Sequence, residues 1–209
     1  MPVHWTATAR GWIYDRAIVG LTAPWYREVI ARLPHGARVL DVGIGTGAAL
    51  ARSADQVHAK DLALVGLDID PDYLARCRSE LARAGLTTRV TPVLASVHDH
   101  RGGPYDAVYF SGSLMLLPDP AAALRHAAGL LAPAGRLFST QTFHHRRSAL
   151  RERAKPMIHK VTTIRFGRVT YEDEFRAAFA AAGVELEELI TLADHGGSSS
   201  RMAVARAVR

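Results

Sequence analysis

The chain has 209 residues, a formal net charge of +6 and one cysteine, Cys77, so it has the length of a single domain with an ample core. No apolar run reaches the ~20 residues of a membrane span, and Met1-Pro2-Val3-His4-Trp5 lacks the charged-then-apolar pattern of a secretory leader. A lone cysteine excludes an internal disulfide and any multi-cysteine metal site, and a reducing, cytoplasmic setting is the expectation.

All three tryptophans, Trp5, Trp12 and Trp25, lie near the N-terminus with Tyr14 and Tyr26 among them. Ile18, Leu21, Trp25 and Val29 recur at the spacing of one helix face. Pro34-His35-Gly36 stops that helix, so residues 1–36 are expected to form a helical cap.

Next comes Arg38 to Val42, which reads as a buried strand. It breaks into Gly43-Ile44-Gly45-Thr46-Gly47 and then a helix from Thr46 to about Gln56. Glycines allow positive φ and let a ligand touch the backbone. The helix start aims free N–H groups at whatever occupies the turn. A tight strand-to-helix turn needs glycine for sterics in any case, so the turn alone does not demand a ligand. Asp41 adds to it, since a buried carboxylate needs a partner and a cationic ligand group would be one. A second strand, Leu62 to Leu67, ends in Asp68, followed by Ile69-Asp70-Pro71. An acid at that position hydrogen-bonds ribose hydroxyls.

Val39 to Gly47 followed by Gly66-Leu67-Asp68 resembles the class I S-adenosylmethionine-dependent methyltransferases. The resemblance runs from about Arg38 to Thr140 and more loosely to the C-terminus. It implies an α/β fold: a single Rossmann-like domain over residues 1–209, with an open seven-stranded, mostly parallel sheet, a C-terminal antiparallel strand and helices on both faces. It implies S-adenosyl-L-methionine as cofactor and methyl transfer to a small organic acceptor. Carried onto this sequence, the cofactor contacts fall on Asp41, Gly43, Ile44, Gly45 and Gly47, on Asp68 and Ile69, on Ser96 and Val97 near adenine, and on Ser111. An aromatic of the N-terminal helix often covers the pocket in this family, and Tyr14 is the residue expected to do so.

Asp70-Pro71 opens the next helix as an aspartate N-cap with proline in the first turn. Leu74, Cys77 and Leu81 share its apolar face, which makes Cys77 a core residue. Gly85 ends this helix, and Val90 to Ala95 is the third strand. In Ser96-Val97-His98-Asp99, where the family usually has an acid near adenine, the matching position is Ser96. Asp99 would replace it if the loop were shifted.

Tyr105 to Phe110 reads as the central strand, running into Ser111-Gly112-Ser113, which by resemblance faces the transferred methyl. No Asn/Asp-Pro-Pro-aromatic motif, no cysteine nucleophile and no acidic magnesium cluster follows it. Nucleic acid is therefore not the expected partner, and no metal is expected. Asp119-Pro120 caps a helix running through Leu124 and Leu131. Pro133-Ala134-Gly135 then turns into the strand Arg136 to Thr140.

Residues 141–169 are too long for a simple connection. They are expected to form an inserted substrate-side cap. Arg146, Arg147, Arg151, Arg153, Lys155, Lys160, Arg165 and Arg168 face a single acid there, Glu152, so the chain's basicity is local. An anionic acceptor or a peripheral membrane contact would suit it; so would an ordinary solvated face. His144 and His145, just after the fifth strand, are the candidate bases together with Tyr14. Thr170-Tyr171-Glu172-Asp173 resembles a capping box, with Phe175 and Phe179 on the helix's inner face and Gly183 at its end. Val184 to Ala193 and Met202 to Val208 are expected to pair as a hairpin around His195-Gly196-Gly197. The readings that compete with a small-molecule methyltransferase are a phospholipid or quinone methyltransferase at a membrane surface, an RNA methyltransferase, and a cofactor-binding scaffold without transfer activity.

Overall fold

Alternation along β1 (Arg38–Val42) sorts the molecule into two layers. Successive side chains of a strand point to opposite faces. Val39 joins one apolar cluster and Leu40 and Val42 the other. The structure is a computed structural model; it describes residues 5–145 and 170–208, with side chains from Val19 onward. The Val39 layer is built by α1 (Trp5–Arg32), α2 (Ala48–Ala51), α3 (Ala54–Ala59) and α4 (Pro71–Arg83). The Leu40 layer is built by α5 (Pro120–Gly129) and α6 (Glu172–Ala182). Their inner faces carry Leu124 and Ala127, and Phe175 and Phe179.

Between the layers lie β1, β2 (Ala63–Asp68), β3 (Val90–Leu94), β4 (Tyr105–Ser111), β5 (Leu131–His144), β6 (Val184–Asp194) and β7 (Ser198–Ala207). They form one seven-stranded sheet in the order β3-β2-β1-β4-β5-β7-β6. β1 to β5 pair in parallel, and β7 runs antiparallel to both β5 and β6. This is the expected architecture. Strands covered on both faces read as apolar runs, which is why Val39 to Val42 and Ala107 to Phe110 were legible. The strand order reverses between β1 and β4, and open sheets of this kind bind ligands in the crevice at such a switch point.

Several local expectations change. Among the α1 side chains described, Val19, Thr22, Ala23, Trp25, Tyr26, Val29 and Ile30 are buried, whereas Leu21 is 40% exposed. The helix expected over Thr46 to Gln56 is two short ones, because Ser53 leaves helical geometry at φ −112° and ψ 20°. α5 ends at Gly129, and Leu131 belongs to β5. The β4–β5 register shifts there, with Tyr105 opposite Leu131 but Ala107 opposite Arg136. Residue Tyr171, not Thr170, is the N-cap of α6, and its side chain makes no capping bond. Thr170 is buried instead, and its hydroxyl accepts from Gln141 Nε2 at 3.2 Å. β7 begins four residues before Met202, because Ser198 to Arg201 continue the ladder against β5 through backbone bonds that apolar patterning cannot show. The aspartate caps form as expected: Asp70 Oδ1 accepts from Asp72 N at 2.8 Å and Tyr73 N at 3.1 Å. Asp119 Oδ1 accepts from Ala122 N at 2.9 Å.

Candidate functional site

The turn after β1 is tied to the end of β2 by backbone and by one carboxylate. Gly43 N and Ile44 N donate to the Leu67 carbonyl at 2.8 and 3.0 Å. Gly45 N donates to Asp68 Oδ2 at 2.9 Å, and Asp70 N donates to Asp68 Oδ1 at 3.0 Å. Asp68 therefore latches the glycine turn to the start of the α4 region. Gly43, Gly45 and Gly47 all have positive φ, at 81°, 59° and 68°, a conformation that glycine alone adopts without cost. Behind the turn, a side chain at Gly47 would meet Cys77 Sγ at 2.7 Å. Cys77 is fully buried and burial pushes its thiol up to about 12. It is packing, as expected.

Asp41 lies one step below the turn and is fully buried. Its Oδ2 accepts from the Tyr26 hydroxyl at 2.7 Å, and its Oδ1 has no hydrogen-bond partner. Burial raises the carboxyl from 3.8 to about 7; the Tyr26 bond opposes this and the charge of Asp68 adds to it. The Tyr26 ring stands edge-on to Tyr109, with centroids 5.1 Å apart and planes at 88°. Tyr109 in turn hydrogen-bonds Thr140 Oγ1 at 2.8 Å.

A cavity of about 320 Å³ opens at this edge of the sheet, within the size range of small-molecule sites. From α1 come Val19, Leu21, Thr22, Trp25 and Tyr26; from the turn, Gly43 to Gly47. Tyr73 comes from α4, Ser111 and Gly112 from the end of β4, Leu116 from the short 3-10 turn Leu114–Leu116 after it, and Gln141, Thr142 and His144 from β5.

Of the residues singled out in the sequence, Gly43, Ile44, Gly45, Gly47, Ser111 and His144 line this cavity. Asp41 does not; Tyr26 stands on the wall and holds its carboxylate. Asp68 and Ile69 sit at the tip of β2, outside the cavity, where Ile69 is 76% exposed. Beyond them Ser96 Oγ accepts from His98 N at 3.3 Å, closing its own turn, and Asp99 is exposed. Val97 is 2% exposed and packs in the core, so its side chain offers no binding surface. His145 turns away, its Nε2 lying 3.1 Å from Ser199 Oγ. The side chain of Tyr14 lies outside those described. Tyr26, Trp25 and Gln141 are the site residues that sequence reasoning passed over. The signal for Tyr26 was its place among the N-terminal aromatics, one residue after Trp25.

A family model described as a methyltransferase domain matches residues 39–135. Those residues carry a class I S-adenosylmethionine-dependent methyltransferase domain. It is 40% identical over 117 residues to a ubiquinone biosynthesis O-methyltransferase of Xanthomonas axonopodis, covering 53% of this chain and 45% of that protein. It is 33% identical over 130 residues to the aklanonic acid methyltransferase DauC of a Streptomyces species, covering 61% and 59%. The chain thus spans about half the length of the curated relatives it matches. Among solved structures, the mitomycin 7-O-methyltransferase MmcR superposes with a TM-score of 0.73 over 98% of this chain and 59% of that one. At 20% identity that likeness speaks for the fold. The matched span supplies this methyltransferase domain with the glycine turn, Asp68 and the Ser111 to Leu116 wall. The walls from α1 and β5 lie outside it.

Proposed function

We propose that this chain binds S-adenosyl-L-methionine at the switch point and methylates a small organic acceptor in the cavity beside it. The observation that carries this reading is the Asp68 latch, which holds three positive-φ glycines open at the rim of a cavity backed by a buried carboxylate with one unpartnered oxygen. These groups fit the cofactor. Backbone N–H groups of Gly43 to Gly47 and the Ser111 edge would hold the methionine end, with Asp41 behind them. Asp68 would take the ribose, exposed Ile69 would supply an apolar face for the base, and Ser96-Val97 would meet adenine through backbone.

When bound, the cofactor's sulfonium supplies an electrophilic methyl group. The protein's part is alignment, which can lower a barrier by roughly 7–11 kcal/mol, together with exclusion of water by Val19, Leu21 and Trp25. Among the candidate bases His144 is the one whose ring belongs to the described wall, and a ring nitrogen there would take the proton of a hydroxyl acceptor. The mixture of Trp25, Leu21 and Leu116 with Gln141, Thr142 and His144 suits an acceptor with an apolar body and a polar reacting end. The relatives' names, ubiquinone biosynthesis and aklanonic acid methylation, support a small molecule. A cytoplasmic location is part of this proposal; among the described residues no helix is long and apolar enough to cross a membrane.

The test is calorimetry with S-adenosylhomocysteine, followed by a screen of hydroxylated aromatic acceptors with methyl-labelled cofactor. Absence of S-adenosylhomocysteine binding would refute the reading; binding without transfer to any acceptor would favour a scaffold.

A further inference from the structure

We infer that Tyr26 is the group through which the buried Asp41 holds the ammonium end of the cofactor, an inference that rests on the cofactor reading above. Asp41 is fully buried and does not line the cavity, whereas Tyr26 does. The Tyr26 hydroxyl spends its only hydrogen on Asp41 Oδ2, at 2.7 Å. A phenol that donates keeps its lone pairs for a second donor. The Ser111 hydroxyl also acts on this phenol, and both residues line the cavity; a ligand N–H that reaches the phenol oxygen there would find it a stronger acceptor because of the carboxylate behind it. Chains of hydrogen bonds polarise one another in this way.

The packing keeps the hydroxyl where this requires it. Tyr26 is 3% exposed, its ring is edge-on to Tyr109, and Tyr109 is pinned by Thr140. The unpartnered Asp41 Oδ1 is the second sign. A carboxylate buried with one hydrogen bond is costly unless a positive charge lies close. Among the groups acting on its carboxyl are the Tyr26 hydroxyl and the negatively charged Asp68, and neither is a cation. A ligand cation on the far side of one hydroxyl offsets the burial.

The experiment compares two ligands on the wild type, Tyr26→Phe, Asp41→Asn and the double variant by calorimetry. S-adenosylhomocysteine carries the ammonium; 5′-methylthioadenosine shares its adenosine and sulfur but lacks the amino-acid end. Tyr26→Phe should weaken S-adenosylhomocysteine by about ten- to a hundredfold, the size of a hydrogen bond to a charged group, and leave 5′-methylthioadenosine unchanged. Asp41→Asn should do the same, and the double variant should be no worse than either single one. Equal losses for both ligands, no loss of S-adenosylhomocysteine, or additive losses in the double variant would overturn the relay. If Tyr26→Phe fails to fold, the wild type decides: deaminated S-adenosylhomocysteine should bind about ten- to a hundredfold more weakly than the parent, and equal binding overturns the inference. A wild type that binds neither thioether overturns the cofactor reading and this inference together. Normal binding that Tyr26→Phe leaves untouched overturns this inference alone.

Discussion

Ile44 occupies the space above Gly66: a methyl group on Gly66 would come within 2.4 Å of Ile44 Cδ1 and 3.1 Å of its Cβ and Cγ2. The glycine turn is thus seated on β2 by a side chain as well as by its backbone bonds to Leu67. Gly66→Ala should push the whole turn outward. Overpacking of this kind costs about 1–3 kcal/mol, readable by urea unfolding, and S-adenosylhomocysteine affinity should fall with it. Ile44→Ala in the same chain should restore most of the stability. A Gly66→Ala protein as stable as the wild type would show that Ile44 has room to move.

Asp68 has both carboxylate oxygens on backbone N–H groups, Gly45 on one and Asp70 on the other. Asp68→Ala removes the latch and the proposed ribose contact together. Cofactor affinity should drop by roughly 1.5–3 kcal/mol, as for hydrogen bonds to a charged group. Asp68→Asn keeps one acceptor and should fall between the wild type and Asp68→Ala. Calorimetry on the three proteins settles it; equal affinities would remove Asp68 from the cofactor site.

The central strands, the glycine turn and both aspartate caps were legible because each has a local signature: apolar runs, closely spaced glycines, and aspartate followed by proline; the architecture of the sheet was what the family resemblance implied. Tyr26 was not. Tyr14 and Tyr26 lie on one helix, and which of them meets the pocket depends on how α1 docks, a tertiary fact with no periodic trace. For the same reason Asp41 could be placed at the end of β1 while the hydroxyl that covers it stayed hidden. Thr170 read as a cap because the spacing to Asp173 allows one; pairing with Phe143 and Gln141 holds it instead.

Asp41 predicts a pH dependence of stability. Its carboxyl is raised from 3.8 to about 7, by burial first. Between those values the folded chain keeps a proton that the unfolded chain gives up, so stability declines as pH rises through that window. The decline attributable to Asp41 is about 4 kcal/mol at most. Glu172 runs the opposite way, because hydrogen bonds from Arg176 and Arg201 lower its carboxyl, so its contribution is lost as pH falls. It is shared by wild type and Asp41→Asn and cancels in their difference. Urea unfolding at pH 4.5 and 7.5 should show the wild type losing ground to Asp41→Asn at the higher pH. Parallel behaviour of the two proteins would contradict a buried, proton-holding Asp41.

Methyl transfer should survive a chelator. Among the described residues no group of three His, Cys, Asp or Glu side chains could hold a metal ion. Turnover lost in EDTA and restored by a divalent ion would refute this.

Residues 146–168 hold eight basic side chains and one acid in a chain whose net charge is +6. The segment lies outside the described residues, but the residues that flank it do not. His144 N donates to the Thr170 carbonyl at 3.0 Å, and Phe143 bridges to Thr170. The residues that flank the segment thus meet beside Gln141, Thr142 and His144, on the cavity wall. The hypothesis is that it attracts an anionic or electron-rich acceptor. Exposed charges are screened over about 8 Å at physiological salt, so kcat/KM for the acceptor should fall as salt rises while cofactor affinity barely changes. Neutralising Arg146, Arg147 and Arg151 together should reproduce the high-salt behaviour at low salt with stability little altered. A flat salt profile in the wild type would make the segment an ordinary solvated face. A triple variant that loses cofactor binding as much as acceptor capture would make it structural support.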